Sequence, residues 1–244
     1  MRMGVAIPLA NEEKTIETLI GRVLSHLSSE DRVFCVLDKV SKDNTRQILE
    51  AKSLEDPRIE VVWAPENRCV VDAYVRGYKA ALAKGAKWIL EMDGGMSHQP
   101  EDIPKFIQAM EEGYDFAAGC RFMPGGQFDG PFKRKFISKS GTVLSHMLLS
   151  AKMRDMTSGF ECFTRQALES VLRRGIRSKA HFFQTEIKYH LQSWRWKEVP
   201  IHYKNPSNSV GRASLKDAFS NLARLTREHW TAPMGQRSTL REAA

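Results

Sequence analysis

Trp88-Ile89-Leu90-Glu91-Met92-Asp93-Gly94-Gly95-Met96-Ser97-His98-Gln99-Pro100-Glu101-Asp102 is the stretch that decides the fold. An apolar run stops at a carboxylate, two glycines and a polar turn follow, and Pro100 then stands at the first turn of a helix-like segment. This pattern is a strand feeding a helix, and open α/β sheets bind ligands at such strand ends. Asp93 can there hold a cation or a ligand hydroxyl, and Gly94 and Gly95 can let backbone approach a bulky ligand. The same residues also suit an ordinary βα turn with an Asp at the helix entrance.

Outward from this junction, strand-like runs at Met3–Leu9, Arg32–Leu37, Ile59–Trp63, Lys87–Met92 and Tyr114–Gly119 alternate with helical spacing over 12–27, 43–51, 70–84 and 100–112. The alternation predicts an α/β fold: a doubly wound, mostly parallel sheet with right-handed crossovers and helices on both faces. Three polar junctions fall on strand ends: Asn11-Glu12-Glu13, Asp38-Lys39 and Asp93-Gly94. Carboxylates on one sheet edge can converge on one ligand. The second half is less regular. Residues 122–135 form a basic, Gly/Pro-rich loop long enough to be functional. Helices are expected over 137–152, 166–174, 182–191 and 215–227, and a strand over Trp196–Tyr203. Val143, Leu144, Met147 and Leu148 group on one helical face, for which core packing is the ordinary use. Lys133, Arg134, Lys135 and Lys139 beside them make membrane-surface docking the alternative.

The 244 residues suffice for one large domain, and the formal charge of +8 favours acidic partners. Nucleotides or anionic lipid head groups fit better than nucleic acid, because zinc-finger spacing, RNA-recognition signatures and long basic arms are absent from the sequence. Cys35, Cys69, Cys120 and Cys162 form no CxxC pair, so reduced thiols are expected. Neither a secretory h-region nor a run of about 18 apolar residues is present. The expectation is a cytoplasmic protein, at most peripheral at the inner face of the membrane.

Read together, the motifs resemble the family 2 glycosyltransferases, and within them the dolichol-phosphate mannose synthase and polyprenyl-phosphate glycosyltransferase branch. Val5 to Glu13 is similar to the opening strand that cradles the nucleotide, implicating Pro8, Asn11 and Glu13. Leu37 to Thr45 is similar to the VDDGSTDNT element, with Asp38 on its first Asp, Lys39 on its second and Val40 on its glycine. Met92 to Asp102 resembles the DxD segment, with Asp93 on the first Asp and Gly95 where the second should stand. Gly119 to Gly126 resembles SRYxxGG, in which Arg121 corresponds to a residue approaching the donor phosphates. Arg134 and Ser138 resemble the RxxxSR segment, and Asp155-Met156-Thr157-Ser158-Gly159-Phe160 the DxTSGF element. Gln184 and Glu186 match QxE, and Glu198 to Ile201 matches EVPI. Singly these motifs are weak; their order is what carries the resemblance.

The resemblance implies a glycosyltransferase A type, Rossmann-like fold and an inverting transferase of cell-envelope glycan synthesis. It would take a nucleotide sugar and an acceptor that is a polyprenyl phosphate or a growing glycan. It implies one catalytic domain over 1–228, with a nucleotide-sugar half (1–119) and an acceptor half (120–228), followed by a flexible tail over 229–244. The implied donor residues are Pro8, Asn11, Glu13, Asp38, Asp93, Gly94, Gly95, Arg121, Arg134 and Ser138, and the implied acceptor residues are Thr157, Ser158 and Gln184. Asp93 is the expected ligand of a Mg²⁺ or Mn²⁺ ion, weakened by Gly95; His98 is a further candidate, or else satisfies local backbone. Arg121, Arg134 and nearby lysines could instead carry the phosphate charge. A hydroxyl acceptor would need a carboxylate base, for which Asp155 and Glu186 are the candidates, whereas a phosphate acceptor would need none. The alternative is a non-catalytic nucleotide-sugar-binding protein that kept the fold and lost the metal motif.

Overall fold

The computed structural model describes residues 2–204 and 211–231. The expected alternation is present. Strands β1 (Met3–Leu9), β2 (Arg32–Leu37), β3 (Ile59–Trp63) and β4 (Trp88–Glu91) are separated by helices α1 (Ile16–Leu24), α2 (Thr45–Glu55) and α3 (Val70–Ala83). A 3-10 turn at Pro100–Asp102 leads into α4 (Ile103–Glu111), which is followed by β5 (Phe116–Cys120) and β6 (Gln127–Asp129). Then come α5 (Phe132–Leu149), β7 (Glu161–Thr164), α6 (Arg165–Arg174) and α7 (Phe183–Leu191). The described chain closes with β8 (Trp196–Pro200), β9 (His202–Lys204) and α8 (Arg212–Thr231).

The main sheet runs β3-β2-β1-β4-β7-β5-β8, parallel except for β7, which lies antiparallel between β4 and β5. Alternation within each strand divides the core. Val5, Ile7, Val33, Cys35 and Leu90 pack on one face beneath α1, α2 and α4, while Ala6, Phe34 and Ile89 pack on the other beneath α3, α6 and α7. The side-by-side order β2-β1-β4 matters most for the site. It puts the carboxyl ends of three strands, and the polar junctions they carry, on one edge.

Four expectations change. The strand expected over Trp196–Tyr203 breaks at Ile201 into β8, in the main sheet, and β9, which pairs with β6 in a separate two-stranded sheet. The basic loop contains β6, and the helix after it starts at Phe132 rather than Ile137. β7 was not legible because four residues headed by a buried Glu161 carry no period-2 signal. Residues 229–231 are helical as the end of α8, not a tail, and residues 232–244 lie outside the described residues. None of the helices among the described residues is long and apolar enough to cross a membrane.

Candidate active site

The first two junctions are sewn together. Asn11 N–H donates to Ser41 Oγ at 3.2 Å, and Asn11 Oδ1 accepts from Lys42 N–H at 2.8 Å. Glu12 N–H donates to Thr45 Oγ1 at 2.8 Å, and Glu13 N–H to Asp43 Oδ2 at 2.9 Å. Glu13 Oε2 in turn accepts from the backbone and side chain of Asn44 at 3.1 Å. Asn11 and Glu13 therefore shape the rim formed by the two loops. Asp38, half-buried at the end of β2, accepts Val40 N–H at 2.8 Å through Oδ1. Lys39 and Val40 are exposed.

Asp93 lies beyond the end of β4, on the same edge. Its Oδ1 accepts Ser97 N–H at 3.3 Å, and its own N–H donates to His98 Nδ1 at 3.1 Å. Burial pushes the His98 imidazole below its ordinary value, so the ring is neutral and Nδ1 is the acceptor. The 3.2 Å approach of Nδ1 to Asp93 Oδ2 is then proximity rather than an ion pair. The ring stacks on Phe160 at 4.9 Å and bridges through its backbone to Tyr203. His98 thus satisfies local backbone and anchors the loop.

The two glycines differ. A Cβ on Gly94 would lie 2.4 Å from Leu9 Cδ2 and 2.9 Å from the Pro8 carbonyl oxygen. Gly94 lets β4 close against the end of β1; it and Pro8 are packing positions, which corrects the reading of Gly94 as clearance for ligand. Gly95 is exposed, and a Cβ there would have only Glu12 Oε1 nearby, at 3.9 Å. Positive φ at Asn11 (60°) and at Met96 (61°) puts left-handed backbone on both loops flanking this opening.

The motifs of the second half meet below. Arg121 is buried and grips the fully buried Asp155 with a fork: Nε to Oδ2 at 2.7 Å and Nη2 to Oδ1 at 2.8 Å. Arg121 N–H also donates to Oδ2, and Nη2 to Thr157 Oγ1 at 2.7 Å. Burial alone would raise the Asp155 carboxyl, but the Arg121 guanidinium more than offsets it and holds the group at about 2. A carboxylate so acidic is a poor proton acceptor, which argues against Asp155 as a general base and against Arg121 as a free phosphate clamp. The guanidinium is further enclosed by the rings of Phe122, Phe128 and Tyr203 at 5.1, 5.6 and 5.2 Å. Glu186 is committed as well. Buried in α7, it accepts the N–H groups of Arg177 and Ser178 and pairs with Arg224 of α8. It is a staple between elements, not a base. Ser158 and Gln184 are buried, with Gln184 against Gly159, and form the floor rather than a lining surface.

Beneath this floor lies a cluster that the motifs did not reveal. Glu91 and Glu161 face each other across the β4–β7 ladder, both fully buried. Lys188 of α7, also fully buried, meets Glu161 Oε1 at 2.7 Å and donates to the Ser158 carbonyl. One ammonium cannot neutralise two carboxylates in a dry interior. Burial together with the opposed Glu161 pushes the Glu91 carboxyl well up, while burial, countered by Lys188, leaves Glu161 at about 7.

Arg134 sits in the first turn of α5, half-buried, and Ser138 follows one turn on. The Arg134 and Asp93 charges act in opposite directions on His181 and on Tyr203. Although His181 is solvent-exposed, crowding by surrounding protein, and then Arg134, push it below its ordinary value.

A sequence model described as glycosyl transferase family 2 matches residues 4–172. The chain belongs to this family. Among relatives, this glycosyltransferase is 29% identical over 229 residues to a polyprenol monophosphomannose synthase of Mycolicibacterium smegmatis, covering 91% of this chain and 86% of that one. It is 29% identical over 206 residues to an undecaprenyl-phosphate mannosyltransferase of Micrococcus luteus, covering 83% and 84%. A glucosyl-3-phosphoglycerate synthase from Mycobacterium tuberculosis, crystallised with Mn²⁺, UDP and glucosyl-3-phosphoglycerate, superposes with a TM-score of 0.69 at 15% identity, over 95% of this chain and 81% of that one. Staphylococcus aureus TarS 1-349 gives 0.65 at 16% identity, over 99% and 69%. At these identities the two structures bear on the fold, which is the glycosyltransferase A type.

The donor set of the glycosyltransferase can be tested against a divalent cation. Among the described residues no group of three or more His, Cys, Asp or Glu converges as a metal site. Asp93 is half-buried at the opening, and Glu12, whose Oε1 would lie 3.9 Å from a Cβ on Gly95, is an acidic neighbour of it. Burial raises the Glu12 carboxyl, the Thr15 hydroxyl bonded at 2.8 Å opposes this, and Asp93 adds to the rise. Such a set suits a cation that takes one or two protein oxygens and completes its shell with phosphates and water, as Mg²⁺ does, rather than one caged by protein. Tyr203 and Lys188 were not singled out in the sequence because their partners are distant in the chain, whereas Glu12 stood in a strand-end junction and, of the two readings offered for His98, the structure shows it accepting the Asp93 N–H five residues away.

Proposed function

We propose that the glycosyltransferase moves a hexose from a nucleotide sugar to a polyprenyl phosphate, with inversion at the sugar's anomeric carbon. One observation carries the choice of acceptor: the two candidate bases are both committed, Asp155 to Arg121 and Glu186 to Arg224. A hydroxyl acceptor needs a base, whereas a phosphate oxygen is already ionised at neutral pH. The names of the two relatives, one a polyprenol monophosphomannose synthase and the other an undecaprenyl-phosphate mannosyltransferase, support the same class and favour mannose.

In this reading Asp38 meets the nucleoside at the end of β2, and the rim built by Asn11 and Glu13 closes over it. The acceptor phosphate oxygen attacks the anomeric carbon, the bond to the diphosphate oxygen breaks, and the nucleoside diphosphate leaves. Arg134 faces the charge that develops on that diphosphate, the setting in which a preorganised cation is worth most. A Mg²⁺ or Mn²⁺ ion held by Asp93, with Glu12 beside it, would supply further charge neutralisation there. Arg121, Asp155 and Thr157 hold the 155–160 turn that forms the wall of the acceptor side. Peripheral contact with the inner face of the membrane would bring the enzyme to a lipid acceptor.

The test is a transfer assay with GDP-mannose and other nucleotide sugars, offering a short-chain polyprenyl phosphate or the corresponding alcohol. Product from the phosphate alone is expected. Equal transfer to the alcohol would overturn the acceptor assignment, and donor binding without product from either would point to a non-catalytic protein.

A further inference from the structure

Helix α5 is amphipathic with the wrong face outward. Successive residues turn by about 100° around a helix, and on that basis Thr142, Ser145 and Leu149, its buried positions, lie with Arg134 and Ser138 on one side. The opposite side carries Phe132, Phe136, Val143 and Met147 within an arc of about 60°. These are exposed by 80, 61, 52 and 61%. The Phe132 and Phe136 rings stack at 6.4 Å. The grouping of Val143, Leu144, Met147 and Leu148 is therefore split: Leu144 and Leu148 pack inward on a small cluster with Leu222 and Leu225, while Val143 and Met147 face solvent.

Helix α8 packs against α5, with Trp230 Nε1 donating to the Leu148 carbonyl, and presents Phe219 and Trp230 on its own outer side. Of ten large exposed hydrophobic side chains among the described residues, six lie on these two helices. The unpaired charges beside them are of one sign, the exposed Glu228 of α8 being paired with Arg224 and Arg177. α5 carries Lys133, Arg134, Lys135 and Lys139 and no carboxylate, and exposed Lys216 and Arg227 share the outer side of α8. Asp217 of α8 is turned inward onto Ser178 and Lys179.

We propose that the outer faces of α5 and α8 together form a docking surface for a bilayer containing anionic lipid. The proposal rests on the polyprenyl-phosphate reading above and names the surface that serves it. Aromatic side chains flanked by lysines match the boundary between acyl chains and negative head groups. A second copy of this chain is a poor occupant, because an isologous contact would press like charges together. α5 also meets the 155–157 turn, Thr142 Oγ1 accepting the Met156 N–H at 3.1 Å, so a bilayer seated on this helix lies beside the acceptor wall.

The experiment is sedimentation of the full chain with sucrose-loaded vesicles of phosphatidylcholine alone or with phosphatidylglycerol at one part in three. Binding to the anionic vesicles at low salt and its loss at high salt are expected. Phe132→Ser with Phe136→Ser should reduce partitioning at least tenfold, and Lys133→Gln and Lys135→Gln about fivefold each, the ratio corresponding to about 1 kcal/mol per cation. Phe132 and Phe136 are both on the surface, so in the double Phe variant the melting temperature and transfer to a water-soluble short-chain acceptor should not change. Unaltered vesicle binding in the Phe variants overturns the proposal, as does a wild-type protein that ignores vesicles but dimerises through this face in light scattering. Failure of transfer to the soluble acceptor while vesicle binding persists counts against the acceptor reading alone.

Discussion

Lys188→Met removes the one ammonium that faces Glu91 and Glu161. Removing one partner of a buried ion pair costs about 3–5 kcal/mol, because the remaining charge is left without compensation. For a chain of this size each kcal/mol corresponds to about 2–4 °C, so the melting temperature should fall by about 6–20 °C at pH 8. The sign of the pH dependence follows from Glu161. Its folded value, about 7, lies above the unfolded one, so the stability it contributes is fully present below the unfolded value and is lost as pH rises through 7. Without Lys188 the carboxyl shifts further up and stays neutral over more of the range. The deficit of the variant should therefore shrink at pH 5. Adding Glu161→Leu should restore most of the loss, since apolar replacement of a buried pair is commonly neutral or stabilising. Differential scanning calorimetry of the three proteins at both pH values is the assay. A deficit below 2 °C, or one equal at pH 5 and pH 8, would refute the view of this cluster as two carboxyls sharing one cation.

Asp93→Ala should lower turnover by about 10²–10³ while leaving the melting temperature within a degree or two, checked by transfer assay and thermal scan. Gly94→Ala must displace Leu9 and should destabilise by about 1–3 kcal/mol in urea unfolding, whereas Gly95→Ala at its open position should be near neutral. Gly95→Asp returns a carboxylate beside Asp93 and should tighten Mn²⁺ binding in titration calorimetry; unchanged affinity would show that the cation does not sit there. The Arg121–Asp155 pair should hold its stabilisation down to about pH 4, since a lowered carboxyl contributes above the unfolded value and loses it as pH falls towards 2. Asp155→Asn should erase the acid part of the wild-type unfolding profile.

The sheet edge that carries the candidate site was legible. Asp38 and Asp93 mark strand ends, and parallel strands brought side by side put their carboxyl ends together, as found for β2, β1 and β4. The use made of individual charges was less legible. Arg121 and Asp155 each matched a motif associated with a ligand, yet each is the other's partner across 34 residues of chain. Glu186 matched a motif and turned out to hold α8 and the 177–178 turn. A motif fixes residue type and order, while the pairing of buried charges depends on which groups the fold leaves without water.

What the chain determined by itself was whatever depends on near neighbours: apolar period, turn residues and their order. From these came β2 and β3 with the boundaries expected, the parallel sheet, and the edge on which a donor would bind. What only the tertiary structure decided was direction and partnership. Gly94 became a packing position because β1 lies against it, and Phe132 and Phe136 face outward because polar residues of the same helix face the protein. Periodicity reports that a helix has two sides; packing alone says which of them the rest of the molecule covers.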